Sequence, residues 1–408
     1  MAKDGIKIEW IEGQSVTFPR GFQAGAIYAG LKTPGPGKTD VGVILADRDC
    51  SVAGVFTTNK VAAAPVRLSR ERVKRGRARG IVFNAGNANA ATGELGLRTA
   101  REMAEAAAAK FGSGAEDWLV ASTGVIGVPL PMDRFRQGMD GLEISDEGGH
   151  AAANCIITTD TRPKEAAIQL SGPGWSFRMG AIAKGAGMIH PNMATMFCFV
   201  TTDAAVEPSF LQEALAQSVD SSFNMISIDG DMSTNDTAIV LANGLAGNPT
   251  IQSGSPEAAA FREALGQLCI KMAKAIAADG EGATKLIEVV VRGAESVADA
   301  RAAARAVAAS NLLKCAVYGS DPNWGRIACA AGYSGANLVE SLLDITIAGV
   351  PTLRHGNVLP FDARAASSAL KQPQVTIEVN LNLGAHSATA WGCDMTEEYV
   401  VINSKYTT

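Results

Sequence analysis

A threonine at the junction of a loop and an apolar segment is the first candidate for chemistry. Thr195 ends a stretch that begins at Lys184 and contains two glycines and a proline, and it precedes the apolar segment Met196–Val200. Glycine and proline constrain a loop, whereas a short apolar segment with Phe and Val predicts a buried strand. A hydroxyl at this position is presented as a nucleophile would be. The alternative is a plain loop before a strand, with the threonine present for its β propensity.

A threonine hydroxyl needs a base that accepts its proton. The chain has four histidines, none of them in a Ser-His-Asp pattern, and only His190 lies near Thr195 in sequence. For His190 a structural and a catalytic role both stay open. An N-terminal threonine can instead use its own α-amine, whose reference pKa is about 7.7–8.0. This solution requires cleavage between Ala194 and Thr195, by attack of the Thr195 hydroxyl on the Ala194 carbonyl.

Eight short motifs are distributed along the chain. The longest, Lys184 to Thr195, has the sequence KGAGMIHPNMAT. The other seven are Phe56–Lys60, Ser122–Gly127, Thr158–Lys164, Asp229–Thr237, Asp279–Lys285, Asp321–Arg326 and Tyr406–Thr408. The set resembles, in the same order, the motifs of the ornithine acetyltransferase family, also called glutamate N-acetyltransferases. Because the motifs span nearly the whole chain, the match is specific.

The resemblance implies a fold, a processing step and a reaction. The fold is α/β, a layered sandwich of sheets and helices of the self-cleaving type with an N-terminal threonine nucleophile. Cleavage before Thr195 gives an alpha chain, residues 1–194, and a beta chain, residues 195–408, and two of each form a heterotetramer. The reaction transfers acetyl from N2-acetyl-L-ornithine to L-glutamate through acetyl-Thr195. No cofactor or metal is implied, and family members differ in whether they also accept acetyl-CoA as a donor.

The resemblance assigns an oxyanion pair to Thr123 and Gly124. Both residues follow the predicted strand Trp118–Ser122. Backbone N–H groups or a hydroxyl at such a turn can stabilise a developing oxyanion. Without the resemblance, a plain glycine turn explains the same two residues equally well.

Substrate contacts are assigned by the same resemblance to Thr158, Lys184, Thr195, Glu281, Asn403 and Thr408. A buried carboxylate needs a cationic or N–H partner, and Lys184 fits this role for an amino-acid substrate. Glu281 fits the cationic amine of the ornithine side chain, with a solvated loop carboxylate as the alternative. Asn403 and Thr408 lie at the C-terminus, where chains are usually disordered. We therefore expect the strand-like segment Tyr399–Ile402 to hold a tail that folds over the site.

The elements that must position these residues alternate between strands and helices, which predicts α/β layers. Predicted strands are Ala26–Ala29, Val41–Ala46, Val52–Thr57, Gly80–Asn84, Trp118–Ser122, Met196–Val200, Lys285–Arg292 and Val375–Asn380. Predicted helices are Leu95–Lys110, Pro208–Val219, Ala258–Ala278 and Val297–Ser310.

Two sets of charged residues suggest other kinds of site, but each has a simpler explanation. The basic segment Arg67–Arg79 favours a solvated helical face, and the alternative is a surface that attracts an acidic ligand such as the phosphates of coenzyme A. Asp229, Asp231 and Asp236 lack the bidentate acid of a calcium loop. We interpret these aspartates as structural.

Composition narrows the class of protein. The chain has 408 residues, of which 47% are hydrophobic and 19% charged, which predicts a globular protein with two or three core-bearing units. A net charge of -5 argues against a nucleic-acid binder. The sequence has no apolar run of about 18 residues and no apolar N-terminal segment, so neither a membrane span nor a signal peptide is expected. Seven cysteines without a C-x-x-C pair favour reduced thiols in the cytoplasm.

Two other functions compete with acetyl transfer. The first is an N-terminal-nucleophile amidase or aminopeptidase with the same self-cleavage, which would hydrolyse its substrate without glutamate. The second is an amino-acid-binding protein, which would stay uncleaved and would carry no acetyl group.

Overall fold

Two β-sheets and the helices packed on them form the computed structural model of the protein, which describes residues 5–32, 37–190 and 196–405. All seven cysteines fall in these ranges and are free thiols. Within the same ranges, no helix combines the length and the apolar character that a membrane span requires.

The larger sheet has nine strands in the described part of the chain. They are β1 (Lys7–Ile11), β2 (Phe22–Ile27), β3 (Val41–Phe56), β4 (Arg77–Asn84), β5 (Trp118–Ser122), β6 (Lys164–Gly172), β7 (Trp175–Lys184), β8 (Phe197–Thr202) and β10 (Thr237–Ala242). The strand order is β1-β6-β7-β8-β10-β3-β4-β5, and β2 pairs with the first half of β3.

The smaller sheet has seven strands among the described residues. They are β9 (Ile226–Ser227), β11 (Leu286–Ala294), β12 (Asp344–Ile347), β13 (Val350–Arg354), β14 (Asn357–Val358), β15 (Gln374–Asn380) and β16 (His386–Cys393). The order is β14-β13-β12-β15-β11-β16-β9.

Helices cover and separate the sheets. They are α1 (Ala64–Val73), α2 (Gly93–Phe111), α3 (Met132–Gly141), α4 (Gly149–Ile156), α5 (Pro208–Asp220), α6 (Ala258–Ala278), α7 (Val297–Ala309), α8 (Asn311–Tyr318), α9 (Trp324–Gly332), α10 (Ala363–Ala369) and α11 (Glu397–Lys405). Short 3₁₀ turns occupy Ala115–Asp117, Phe223–Met225 and Glu340–Leu342.

The long helix α6 joins the two sheets into one core. Its buried side chains include Phe261, Leu265, Leu268, Met272 and Ile276, a spacing of three or four residues that gives a helix a continuous apolar face. The helix contacts β6 and β7 of the larger sheet as well as β11 and β16 of the smaller one. Sheet, helix and sheet therefore form successive layers, which confirms the predicted α/β fold class.

The strand that follows Thr195 is central in the larger sheet. β8 pairs with β7 in antiparallel and with β10 in parallel orientation, and all six of its residues are buried. A strand buried on both faces is encoded as a continuous apolar run, so the strand predicted over Met196–Val200 is confirmed.

The predicted strands Val41–Ala46 and Val52–Thr57 are one strand in the structure, β3. Its pairing with β4 shifts register between Leu45 and Cys50. The charged residues in this interval are exposed. A bulge thus accommodates the polar residues that suggested a turn.

The strand predicted over Tyr399–Ile402 is wrong, because this segment belongs to the helix α11. Its β-branched residues suggested a strand. The acidic residues Glu397 and Glu398 instead occupy the first turn of a helix and Lys405 the last, the charge order that a helix dipole favours.

The basic segment Arg67–Arg79 is only in part the solvated helical face that was predicted. Helix α1 ends at Val73 and β4 begins at Arg77, so the segment is divided between two elements, although most of its basic side chains are exposed. Five arginines bond to backbone carbonyls, at Nε or Nη to O distances of 2.5–3.0 Å: Arg67, Arg70, Arg72, Arg75 and Arg79. These cations tie α1 and β4 to neighbouring loops and strands.

Candidate active site

One cavity brings together the predicted site residues that the structure describes. Its lining includes Thr123, Gly124, Thr158, Lys184, Glu281 and Asn403. They come from loops after β5 and α4, the end of β7, the loop after α6, and α11. The other three predicted residues, Ala194, Thr195 and Thr408, lie outside the described residues.

The turn after β5 forms one wall of the cavity. Thr123 is buried, and its N–H donates to the Asn84 carbonyl at 3.0 Å. Gly124 has a φ of +133°, and a Cβ there would lie 2.3 Å from the carbonyl carbon of Gly86. Only glycine fits such a backbone and such a close approach. The tight turn carries the Thr123 hydroxyl on the cavity wall.

Lys184 contributes a buried amine to the lining of the cavity. It is the last residue of β7 and only 2% exposed. Its Nζ donates to Thr158 Oγ1 at 2.9 Å and to Thr123 Oγ1 at 3.3 Å. A hydroxyl that accepts a hydrogen bond keeps its own proton for donation, so Thr123 can still donate to a ligand. Burial lowers the pKa of Lys184, and the negative charge of Asp160 opposes this shift.

The strand pairing places β8 beside this cation. Lys184 of β7 pairs with Phe197 of β8. Met196, directly after Thr195, donates its N–H to Asp236 Oδ1 at 3.1 Å and accepts from the Thr237 N–H at 3.1 Å. The backbone next to the predicted nucleophile is therefore fixed at both its amide and its carbonyl.

Asp236 is a buried acid that sequence analysis treated as structural. Burial raises the pKa of Asp236 well above its ordinary value. Among the described residues, its Oδ2 atom is buried without a hydrogen-bond partner. A neutral acid costs much less to bury than a carboxylate, so burial favours the protonated form of Asp236.

Glu281 is one of three acidic residues in the described lining of the cavity. Its N–H donates to the Ala186 carbonyl at 2.8 Å, and Asn403 Nδ2 donates to its Oε2 at 2.8 Å. A Cβ on Gly187 would lie 2.5 Å from the Glu281 carboxyl carbon. The carboxylate thus packs directly on Gly187, in the loop that follows β7, and it also accepts a hydrogen bond from Asn403 of α11.

Sequence analysis missed three further residues of the cavity lining. Asp229 accepts from the N–H groups of Met188 and Ile189 at 2.5 and 2.9 Å, and it lines the cavity together with Asp231. Tyr399, which was assigned to a strand, also lines the cavity. Burial, with added effects of Asp229 and Glu281, raises the pKa of Tyr399. The spacing of Tyr399 and Asn403 is the available sequence signal, because residues four apart share one helix face.

The arrangement suits a small molecule that carries both a carboxylate and an ammonium group. Lys184 contributes a buried amine to the lining, and Glu281, Asp229 and Asp231 contribute carboxyl groups. No group of three or more His, Cys, Asp or Glu side chains is placed to hold a metal ion within the described ranges. His190 is half-buried, with its Nδ1 atom 3.2 Å from Ser227 Oγ, and it is not among the described residues of the cavity wall.

The family-model match and the sequence relatives agree on one family. The sequence matches the ArgJ family over residues 23–408. It is 53% identical, over 403 residues, to the arginine biosynthesis bifunctional protein ArgJ of Symbiobacterium thermophilum, covering 98% of this chain and 100% of that protein. The protein of the same name from Dehalococcoides mccartyi is 48% identical over 401 residues, covering 98% and 99%.

A solved structure is also similar. It is the crystal structure of the arginine biosynthesis bifunctional protein ArgJ from Bacillus halodurans, with 44% identity and a TM-score of 0.50. The match covers 52% of this chain and 98% of that one.

Proposed function

Because this chain belongs to the ArgJ family, we propose that it transfers the acetyl group of N2-acetyl-L-ornithine to L-glutamate, giving L-ornithine and N-acetyl-L-glutamate. It is an acyltransferase of arginine biosynthesis, as the family membership shows. The observation that carries the site assignment is the single cavity whose lining includes both Lys184 and Glu281. Lys184 can pair with an α-carboxylate, and Glu281 can pair with the side-chain ammonium of ornithine.

Thr195 is the nucleophile in this proposal. The strand that follows it pairs with the Lys184 strand, which supports a place beside the cavity. Its α-amine accepts the Oγ proton, and Oγ attacks the acetyl carbonyl. The Thr123 hydroxyl and Gly124 stabilise the oxyanion. The carbon–nitrogen bond then breaks, the Thr195 ammonium returns a proton to the ornithine amine, and acetyl-Thr195 remains.

The second half of the reaction repeats these steps with a new acceptor. Ornithine leaves, and glutamate places its α-carboxylate at Lys184. Its neutral α-amine attacks the ester carbonyl of acetyl-Thr195, and the Thr195 oxygen leaves with the proton that the attacking amine gives up. Acetyl-CoA is proposed as a second donor that forms the same acetyl-Thr195, without any bound cofactor.

The free α-amine of Thr195 requires self-cleavage, which is part of the proposal. Cleavage after Ala194 gives chains of residues 1–194 and 195–408, which pair as a heterotetramer of two alpha and two beta chains in the cytoplasm. Strands β7 and β8 belong to different fragments but share one buried sheet, which supports fragments that stay together. The B. halodurans chain covers 52% of this one, about the share that residues 195–408 make up.

A glutamate-dependence experiment tests the reaction. Purified protein is given acetyl-ornithine with and without glutamate, and ornithine, acetate and N-acetylglutamate are measured. We expect one rapid turnover of ornithine release without glutamate, steady release with it, and initial rates that follow ping-pong kinetics. Steady acetate formation that glutamate does not change would identify a hydrolase and overturn the proposal. Lys184→Met should raise KM for both substrates, because it leaves their carboxylates unpaired.

A further inference from the structure

A network of buried charges lies behind the cavity wall and takes no direct part in the proposed reaction. Lys164 Nζ donates to Asp160 Oδ1 and to Asp279 Oδ2, both at 2.6 Å. The exposed fractions of the three side chains are 0–4%. Lysine and aspartate are almost never fully buried unless paired, and burying such a cluster carries a large desolvation penalty. Because this network is unfavourable to bury, we expect that it serves a function.

The network fixes the loops that carry the substrate contacts. Asp160 Oδ2 accepts from the Thr158 N–H at 3.1 Å, and Asp160 Oδ1 accepts from the Gly185 N–H at 2.7 Å. Asp279 stands two residues before Glu281 and accepts from both the N–H and the hydroxyl of Thr161. Asp160 therefore fixes the residue directly after Lys184 as well as the backbone of Thr158.

The charges of this network act on the pKa of Lys184. Its hydrogen-bond acceptors among the described residues are hydroxyls and not carboxylates. Burial lowers the pKa of Lys184 most strongly, and the charge of Lys164 acts in the same direction. Asp160 is the strongest opposing charge. Glu281 acts in the same direction more weakly, as does Asp236 to the extent that it is ionised, since its burial favours the neutral form.

Asp160 itself stays ionised. Burial alone would raise its pKa, but the charges of Lys184 and Lys164, with hydrogen bonds from Lys164 and the Gly185 N–H, hold the pKa of Asp160 below its usual value. A buried negative charge is therefore bonded to the backbone of Gly185, the residue after Lys184. Asp160 is not among the described residues that line the cavity, so it can stabilise the ammonium without occupying the place of a substrate carboxylate.

We propose that Asp160 is a positioning residue that keeps Lys184 in its charged form, with Lys164 and Asp279 fixing the Asp160 carboxylate in place. The site then binds a substrate carboxylate at neutral and mildly alkaline pH. This inference rests on the proposed function, because it takes Lys184 as the partner of that carboxylate. Asp160 touches no substrate atom and acts through Lys184.

Two substitutions with opposite expected effects test the inference. The measurement is kcat/KM for acetyl-ornithine against pH in cleaved wild type, Asp160→Asn and Lys164→Gln. Asp160→Asn removes the supporting charge, so the alkaline loss of kcat/KM should move to lower pH by about one unit or more, the shift that a nearby opposite charge produces. Lys164→Gln removes a repelling charge, so the same limb should move to higher pH. If the network were only structural, both variants would have a lower kcat/KM at every pH, and the pH at which kcat/KM falls on the alkaline side would not move in opposite directions in the two variants.

Glu165→Gln is the matched control, one residue along β6. Its carboxylate pairs with His150 at 2.6 Å, and the His150 side chain is largely exposed. The alkaline limb of this variant should coincide with that of wild type. If Lys164→Gln gives no folded protein, Asp160→Asn decides alone, because Asn keeps the shape of the side chain.

The outcomes separate this inference from the proposed function. An unmoved limb in folded Asp160→Asn, together with a raised KM in Lys184→Met, overturns the role of Asp160 and leaves the function intact. An unchanged KM in Lys184→Met contradicts the role of Lys184 in the proposed function. A limb that moves to lower pH in Asp160→Asn and not in Glu165→Gln supports the inference.

Discussion

Removal of the Thr123 hydroxyl tests the proposed oxyanion site. Thr123 is 3% exposed, so an oxyanion beside it is shielded from water and each donor matters more. Loss of one oxyanion-hole donor costs about 2.7–4 kcal/mol, or about 10²–10³ in kcat. Thr123→Ala should therefore lower kcat by about a hundredfold. Lys184 keeps its 2.9 Å bond to Thr158 Oγ1 and loses only the longer 3.3 Å bond to Thr123 Oγ1, so KM for acetyl-ornithine should change by less than about tenfold.

The assay is single-turnover acetylation of the protein by acetyl-ornithine, followed by rapid quenching. Rates are divided by the fraction of chains with a free Thr195 N-terminus, because impaired cleavage would otherwise imitate impaired chemistry. Thr123→Ser is the control, since it keeps the hydroxyl and loses a methyl group. The expected loss is about a hundredfold. If the acetylation rate of Thr123→Ala instead lies within about threefold of the wild-type rate, Thr123 has only a structural role in the turn. Equal losses in the Ala and Ser variants would assign the effect to packing.

Two further predictions concern the buried acid and the C-terminal tail. The pKa of Asp236 is higher in the folded protein than in the unfolded chain. The contribution of Asp236 to stability is therefore present below its unfolded pKa of about 3.9, and it is lost as the pH rises toward its folded pKa. Asp236→Asn should thus gain stability relative to wild type, by up to about 1.4 kcal/mol per pH unit while this single group titrates; urea unfolding at several pH values checks this, and a constant difference would refute it. Deletion of residues 404–408 should spare cleavage but let acetyl-Thr195 lose relatively more acetyl to water than to glutamate, because a closed site excludes water. Single-turnover decay with and without glutamate measures this partitioning, and unchanged partitioning would make the tail a structural closure.

The sequence predicted correctly those helices and strands whose own residues show a clear pattern of apolar positions. Helix α6 was predicted over Ala258–Ala278, and the structure has the same bounds, because its apolar residues recur at helical spacing throughout. The strand after Thr195 was found for a similar reason, since its apolar run is continuous. The strand predicted over Tyr399–Ile402 failed because none of the residues of α11 that the structure describes is buried. An exposed helix has no buried face, so its apolar residues need not recur at helical spacing. Its β-branched residues then suggest an edge strand just as well as a helix.

The motifs located the site more completely than the secondary structure did. Thr123, Lys184 and Glu281 come from separate motifs and line one cavity, since each motif marks a loop that reaches the same place in the fold. The Asp160–Lys164–Asp279 network was not predicted. Its members are joined by a long-range contact between the start of β6 and the end of α6, and neither hydrophobic period nor turn chemistry encodes such a pairing.

The state of Thr195 after reaction with acetyl-ornithine tests the central claim most directly. Purified protein is incubated with acetyl-ornithine without glutamate, and its chains are weighed and sequenced by mass spectrometry. We predict two chains, with the second beginning Thr-Met-Phe and carrying one acetyl group on the Thr195 hydroxyl, which glutamate then removes. Thr195→Ala should remain one chain without the acetyl group. A wild-type chain that stays whole, or an acetyl group on another residue, would contradict the account.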